Sequence, residues 1–214
     1  MNAMVLDNNT QQDRIIYLSG DVADSTISDV CKKILDINDA DVKGVSTLVK
    51  YEVMPIHLHI QSFGGSIPDM WALIDIIESS TTPVITYCSG YCMSAASLIF
   101  LSGHVRCMYK HSSIMFHQMS NFVYGKYNDV KLEQSELERL HKQMVKYIRK
   151  HTDLEKTHKK FFKKFDELKQ DIYFTPKECL RYGICDEIVS ESGLRERCKK
   201  QLAEETQIID CDCE

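Results

Sequence analysis

From Ser79 to Gly103 the chain carries no Asp, Glu, Lys or Arg, although 27% of its 214 residues are charged. A stretch that excludes charge so completely is either a membrane span or the inside of a fold. Val84 to Leu101 is about long enough to cross a bilayer. The run nevertheless follows "SSTTP", is interrupted by Ser89-Gly90, and has no second apolar span elsewhere in the chain. A strand, a turn and a short helix buried in one core account for it better. No membrane partner is expected.

The remaining composition narrows the class further. Side chains number 26 basic against 31 acidic, a formal charge of −5, with no arginine-rich or aromatic-interleaved stripe. Nucleic acid is therefore not an expected partner. The opening "MNAMVLDNNTQQDR" lacks the basic segment and apolar core of a secretory signal. Nine scattered cysteines, an odd count, then read as reduced thiols of a cytoplasmic protein. Cys88 and Cys92 are spaced C-x3-C, and Cys211 and Cys213 C-x-C. Neither forms the paired knuckles that zinc uses, so no metal or other cofactor is expected.

Periodicity lays out alternating strands and helices. "RIIYLSG" (14–20) reads as a strand, "SDVCKKILDIND" (28–39) as an amphipathic helix, and 40–53 as a loop or added hairpin. "PIHLHIQSFGGS" alternates at Ile56, Leu58 and Ile60 and stops at a glycine pair. His57 and His59 on its other face read as solvent-facing strand histidines. Ser66 and Pro68 open a helix with an apolar stripe at Ile67, Met70, Leu73, Ile74 and Ile77. "PVITYCSG" is a strand and turn, "MSAASLIFLSG" a short helix, and "VRCMYK" and "SIMFHQ" two further strands. This alternation predicts a parallel α/β core.

Beyond Asn128 a long charged helix carries Val130, Leu137, Leu140, Met144 and Ile148 along one side. Thr152 and Glu155 stand in capping-box register for a helix continuing through Phe161, Phe162 and Phe165. "TPKECLRYG" places Thr175 as N-cap, Pro176 at the first helical position, Glu178 at the third and Gly183 as the stop. "ICDEIV" reads as a last strand, followed by a charged tail.

Ser94 falls at the start of a helix just after a buried strand. Unpaired amides and the helix dipole can stabilise an anion at such a point. A hydroxyl needs a base to attack a carbonyl at neutral pH. His117 ends an apolar strand, and Asp171 precedes the capped helix at 176. Each residue alone has an ordinary reading, as a helix cap, a core histidine and a loop aspartate. Ser97 and Cys92 are rival nucleophiles in the same stretch.

Five segments in order, "RIIYLSGDV", "IHLHIQSFGGSI", "ITYCSGYCMSAASLIFLSG", "SSIMFHQ" and "DIYFTPKECLRYGICDEIV", resemble the blocks of ClpP, the proteolytic subunit family of Clp proteases. The resemblance implies an α/β fold of the ClpP/crotonase type, a spiral of repeated ββα units with a protruding helical handle at about 119–151. It divides the chain into an extension (1–13), a peptidase domain (14–190) and a charged tail (191–214). It implies a serine endopeptidase with Ser94, in "GYCMS", as nucleophile, His117, in "MFHQ", as base and Asp171 as its orienting acid. The backbone amides of Gly65 and Ala95 would form the oxyanion hole. Implied partners are unfolded polypeptide or peptide substrates, further copies in a heptamer, double heptamer or mixed ring, and an AAA+ unfoldase as a candidate. The alternatives are a catalytically silent subunit of a mixed ring and a crotonase-type acyl-CoA enzyme.

Overall fold

The computed structural model describes residues 14–47, 51–119, 126–158, 160–167 and 171–189. The extension 1–13, the tail 191–214 with Cys211 and Cys213, and residues 120–125 of the expected handle lie outside the described residues.

The order of elements is β1 (Ile15–Ser19), α1 (Asp24–Thr47), β2 (Ile56–Ser62), α2 (Ile67–Ser79), β3 (Val84–Met93), α3 (Ala95–Leu101), β4 (Val105–Tyr109) and β5 (Ser113–Phe116). There follow α4 (Tyr127–His151), α5 (Leu154–Thr157), α6 (Phe161–Glu167), β6 (Ile172–Phe174), α7 (Pro176–Arg181) and β7 (Glu187–Val189). β1, β2, β3, β4 and β7 run parallel in that order, as expected of an α/β protein of the ClpP/crotonase type.

The charge-free stretch is a core segment. β3 is largely buried, and every residue of α3 is buried. No described helix is long and apolar enough to cross a membrane. Halfway along β3 the chain changes neighbours. Ile85 to Cys88 pair with β4, whereas Tyr91 to Met93 pair with β5. The pairing with β2 slips at the same place, from Ile60↔Cys88 to Ser62↔Cys92. Gly90 sits at that break with φ 90°, a left-handed conformation that glycine adopts without Cβ strain.

The long first helix corrects the reading of 40–53. α1 starts at Asp24 and runs on to Thr47. Asn38 and Asp41 resemble helix-ending residues because their side chains compete for backbone hydrogen bonds. Here those side chains act across the fold instead. Asn38 Oδ1 accepts from the Thr82 amide and the Ser80 hydroxyl at 3.0 and 2.9 Å. Asp41 is buried and accepts from Arg14, Tyr51 and Thr82.

A second correction concerns 152–167. The continuous helix expected there is two short ones, α5 and α6. The Thr152 hydroxyl donates back to the Ile148 carbonyl at 2.7 Å, closing α4, and accepts from the Leu154 amide at 3.4 Å. Asp153 takes the N-cap position of α5, so the expected capping box does not form. Glu155 pairs with Arg149 at 3.3 Å, outside any capping box. His158 leaves helical geometry, and its ring packs edge-on against Phe161, Phe174 and Tyr182. Tertiary aromatic packing thus overrides local propensity.

Other expectations hold. Ser66 caps α2, whose Met70, Leu73, Ile74 and Ile77 are buried. Thr175 and Glu178 form the reciprocal capping box of α7. In α4 the expected stripe is only partly used. Met144 and Ile148 are buried with Val145 and Tyr147, while Val130 is 36% exposed. The histidines of β2 are not simply solvent-facing. His59 stacks between Tyr17 and Tyr87, with centroids 5.3 and 4.5 Å away, and His57 Nδ1 lies 3.0 Å from the Tyr87 hydroxyl. Burial, with a smaller contribution from neighbouring His57, pushes the His59 imidazole below its ordinary pKa.

Candidate active site

Three strand ends converge. β5 pairs parallel with β3, Met93 opposite Met115, and antiparallel with β6, Phe116 opposite Ile172. Ser94 follows the last paired residue of β3, His117 follows the last of β5, and Asp171 precedes the first of β6. Two registers in a small sub-sheet therefore bring three side chains far apart in sequence to one edge.

Ser94 is the sharpest feature. Its backbone has φ 55° and ψ −125°, and among the described residues it is the one non-glycine with positive φ. Such a conformation costs about 1–3 kcal/mol and persists only where its surroundings impose it. Its amide donates to the Met115 carbonyl at 3.0 Å, and its own carbonyl accepts from the Ser97 amide at 3.0 Å. The Ser97 hydroxyl, fully buried, donates to the same carbonyl. Gly64 lies against the turn from the other side. A Cβ there would come within 2.8 Å of the Ser94 Cβ and the Met93 carbonyl, so no larger residue fits without displacing the serine. The chain has no G-x-S-x-G sequence, yet it makes the same kind of strained strand-to-helix turn.

The Ser94 hydroxyl is 2.7 Å from His117 Nε2, a hydrogen bond of ordinary length. The structure brings these two expected residues into direct contact. Asp171 is nearby but less tightly engaged. Its Oδ1 is 3.9 Å from His117 Nδ1, beyond hydrogen-bond reach, and its side chain is 55% exposed against 26% for the histidine.

Gly65 is held by its bridge to Val22, and Ala95 is the first residue of α3. Among the described residues, neither amide donates in any loop or cap hydrogen bond between backbone groups. The first N–H groups of a helix have no partner within it, so the Ala95 amide is free to serve an incoming oxygen.

The rival nucleophiles are otherwise engaged. Ser97 spends its hydroxyl on the Ser94 carbonyl. Cys92 is fully buried, with Sγ 3.6 Å from the Ile60 carbonyl, and burial and its neighbour Cys88 push its thiol well above the usual range. A thiolate is the reactive form, so this cysteine is a packing residue. No group of three metal-ligating side chains occurs among the described residues. A cleft of about 580 Å³ lined by His104, Arg106, Lys150 and Asp186 shares no residue with the Ser94 site.

Sequence reasoning missed the two groups that fix Ser94, the Met115 carbonyl and the Ser97 hydroxyl. The first depends on register, which no local pattern states. The second was visible as a serine one turn along, but its direction was not.

A hydroxyl held against an imidazole at a helix tip, on a mostly parallel α/β sheet, is the arrangement that serine-nucleophile hydrolases use. The Clp protease family profile matches residues 3–192. The chain belongs to the Clp protease family. Its members are usually serine peptidases, and they generally form rings and act on peptides.

Proposed function

We propose that this chain is a serine endopeptidase that hydrolyses peptide bonds inside a ring of its own copies, with Ser94 as nucleophile. The observation that carries the reading is the 2.7 Å contact between Ser94 Oγ and His117 Nε2. His117 takes the hydroxyl proton as Ser94 attacks the substrate carbonyl, then returns it to the leaving amine. The backbone amides of Gly65 and Ala95 receive the oxyanion, each such donor contributing about 3 kcal/mol to lowering the barrier. The strained turn at Ser94 supports this, since it fixes the hydroxyl before substrate arrives and leaves little reorganisation for the reaction itself.

Asp171 acts in this reading through charge, stabilising the imidazolium that forms as the proton moves. Closing the 3.9 Å gap to a hydrogen bond takes a shift of about one ångström. Such bonds often tighten only when substrate is bound. Unfolded polypeptide is the substrate class, reached along the extended chain that follows His117, where a peptide strand can pair edge to edge. Enclosure within a ring would keep an unselective nucleophile away from folded protein.

The test is labelling with a fluorophosphonate, followed by mapping of the modified residue. Ser94 is expected to carry the adduct, and Ser94→Ala to lose both adduct and peptide hydrolysis, by roughly 10⁴-fold or more in kcat, with fold and oligomer unchanged. Hydrolysis that survives in Ser94→Ala overturns the assignment. Affinity for coenzyme A without cleavage of casein would favour the acyl-CoA alternative.

A further inference from the structure

Immediately past His117 the chain enters a small cavity that the reaction as described does not use. Gln118 and Met119 form one side of it, and Gln134, Leu137, Glu138 and His141 form the other. Its volume is about 230 Å³, room for one long side chain. The four helical residues stand at intervals of three, one and three, so they make one continuous stripe of α4 facing the strand end. The cavity therefore begins one residue from the proposed base and extends along the helix.

Its lining is divided by chemistry. Met119 and Leu137 are half-buried and offer apolar walls. His141 stacks flat on Phe165, with centroids 5.6 Å apart, which fixes that end of the wall. Glu138 is exposed at the mouth and makes no ion pair among the described residues. Its neighbour Glu136 is already bound to Arg139 at 2.6 Å, on a different face of the helix. Glu138 is thus a carboxylate with no ion-pair partner among the described residues, beside two amide side chains and above a greasy floor. A lysine or arginine side chain matches this division, with its methylene stem on Met119 and Leu137 and its cation at Glu138. An acidic side chain would meet a like charge at Glu138.

We propose that this cavity receives the substrate side chain next to the bond being cut, and that Glu138 makes it prefer a basic residue. The proposal rests on the peptidase reading of Ser94 and extends it to a substrate class. Glu138 is a specificity residue here; it touches substrate but takes no part in proton transfer.

The experiment uses the full chain and three fluorogenic peptides that differ only in that residue: lysine, leucine and glutamate. Wild-type protein is expected to cleave them in that order of kcat/KM. The lysine-to-leucine ratio should fall roughly threefold to fivefold in Glu138→Gln, the worth of one exposed ionic contact. In Glu138→Lys the glutamate peptide should overtake the lysine peptide, and the wild-type preference should weaken as salt is raised. Thermal melting of each variant checks that the helix still folds. Cleavage with normal fluorophosphonate labelling but no lysine preference overturns the pocket assignment alone. A preference that survives in both variants does the same. Absence of labelling and cleavage together removes the peptidase reading, and this proposal with it.

Discussion

Two aspartates in this chain each face a basic side chain, in opposite circumstances. Asp41 is 3% exposed and accepts hydrogen bonds from Arg14, Tyr51 and Thr82. Asp171 is largely open to solvent and stands 3.9 Å from His117. Burial alone would raise the Asp41 carboxyl, but the donors around it outweigh that effect and hold it at about 2. The first pair ties β1 to α1 and to the loop before β3, so its geometry is closed and permanent. The second lies at a strand edge where, in the proposed reaction, His117 exchanges protons and substrate passes. A framework ion pair gains from being sealed, whereas a working one has to stay adjustable.

The sharpest way to break that comparison is through the sealed pair. Asp41→Asn leaves the Arg14 guanidinium buried without its counter-charge, which should cost about 3 kcal/mol or more of stability by denaturant unfolding. The same carboxylate predicts an acid step. Its folded pKa of about 2 lies below the unfolded value of about 3.9. Its contribution is therefore full above about pH 4 and is lost as pH falls towards 2. That amounts to about 2–3 kcal/mol, and the Asp41→Asn variant should lack the step. A variant as stable as wild type at neutral pH would show that the pair is not sealed in solution.

The open pair should respond in activity and hardly at all in stability. Asp171→Asn is expected to lower kcat by roughly 10–100-fold, less than the about 10⁴-fold seen where such an aspartate is firmly bonded to its histidine. Its melting temperature should stay within about 1 °C of wild type, since exposed positions contribute little. A loss near 10⁴-fold in single-turnover peptide hydrolysis would mean that the gap closes in the working enzyme.

How much of this was legible in the sequence follows from the range of the forces involved. Short-range chemistry was readable. The cap at Ser66, the box at Thr175 and Glu178, and the alternation of Ile56, Leu58 and Ile60 each declare their element within a few residues. The charge-free run declared its burial. Long-range use of side chains was not readable. The first helix reads as ending at 39 because nothing near Asp41 shows Arg14, Tyr51 and Thr82 waiting for it. His158 looked helical because its aromatic partners come from 161, 174 and 182. β6, three residues long, is a strand only because β5 is beside it. The residue types expected at the site were legible through resemblance. The strain at Ser94 and the slackness at Asp171 were not, because both follow from register.

The smallest expected effect tests what holds Asp171 in place. Two devices flank it on the same side: the antiparallel pairing of Ile172, Tyr173 and Phe174 with β5, and the capping box of α7 just beyond. Thr175→Ala removes the hydroxyl that accepts from the Glu178 amide and should cost about 1 kcal/mol. In a chain of this length that is a fall of about 2–4 °C in melting temperature. If strand pairing sets the position of Asp171, peptide hydrolysis in Thr175→Ala should stay within roughly threefold of wild type, well short of the Asp171→Asn loss. If the two variants lose equal activity, the acid is steered by the helix behind it. The open pair would then be braced from a distance, and the contrast with Asp41 would narrow to one of solvent exposure alone.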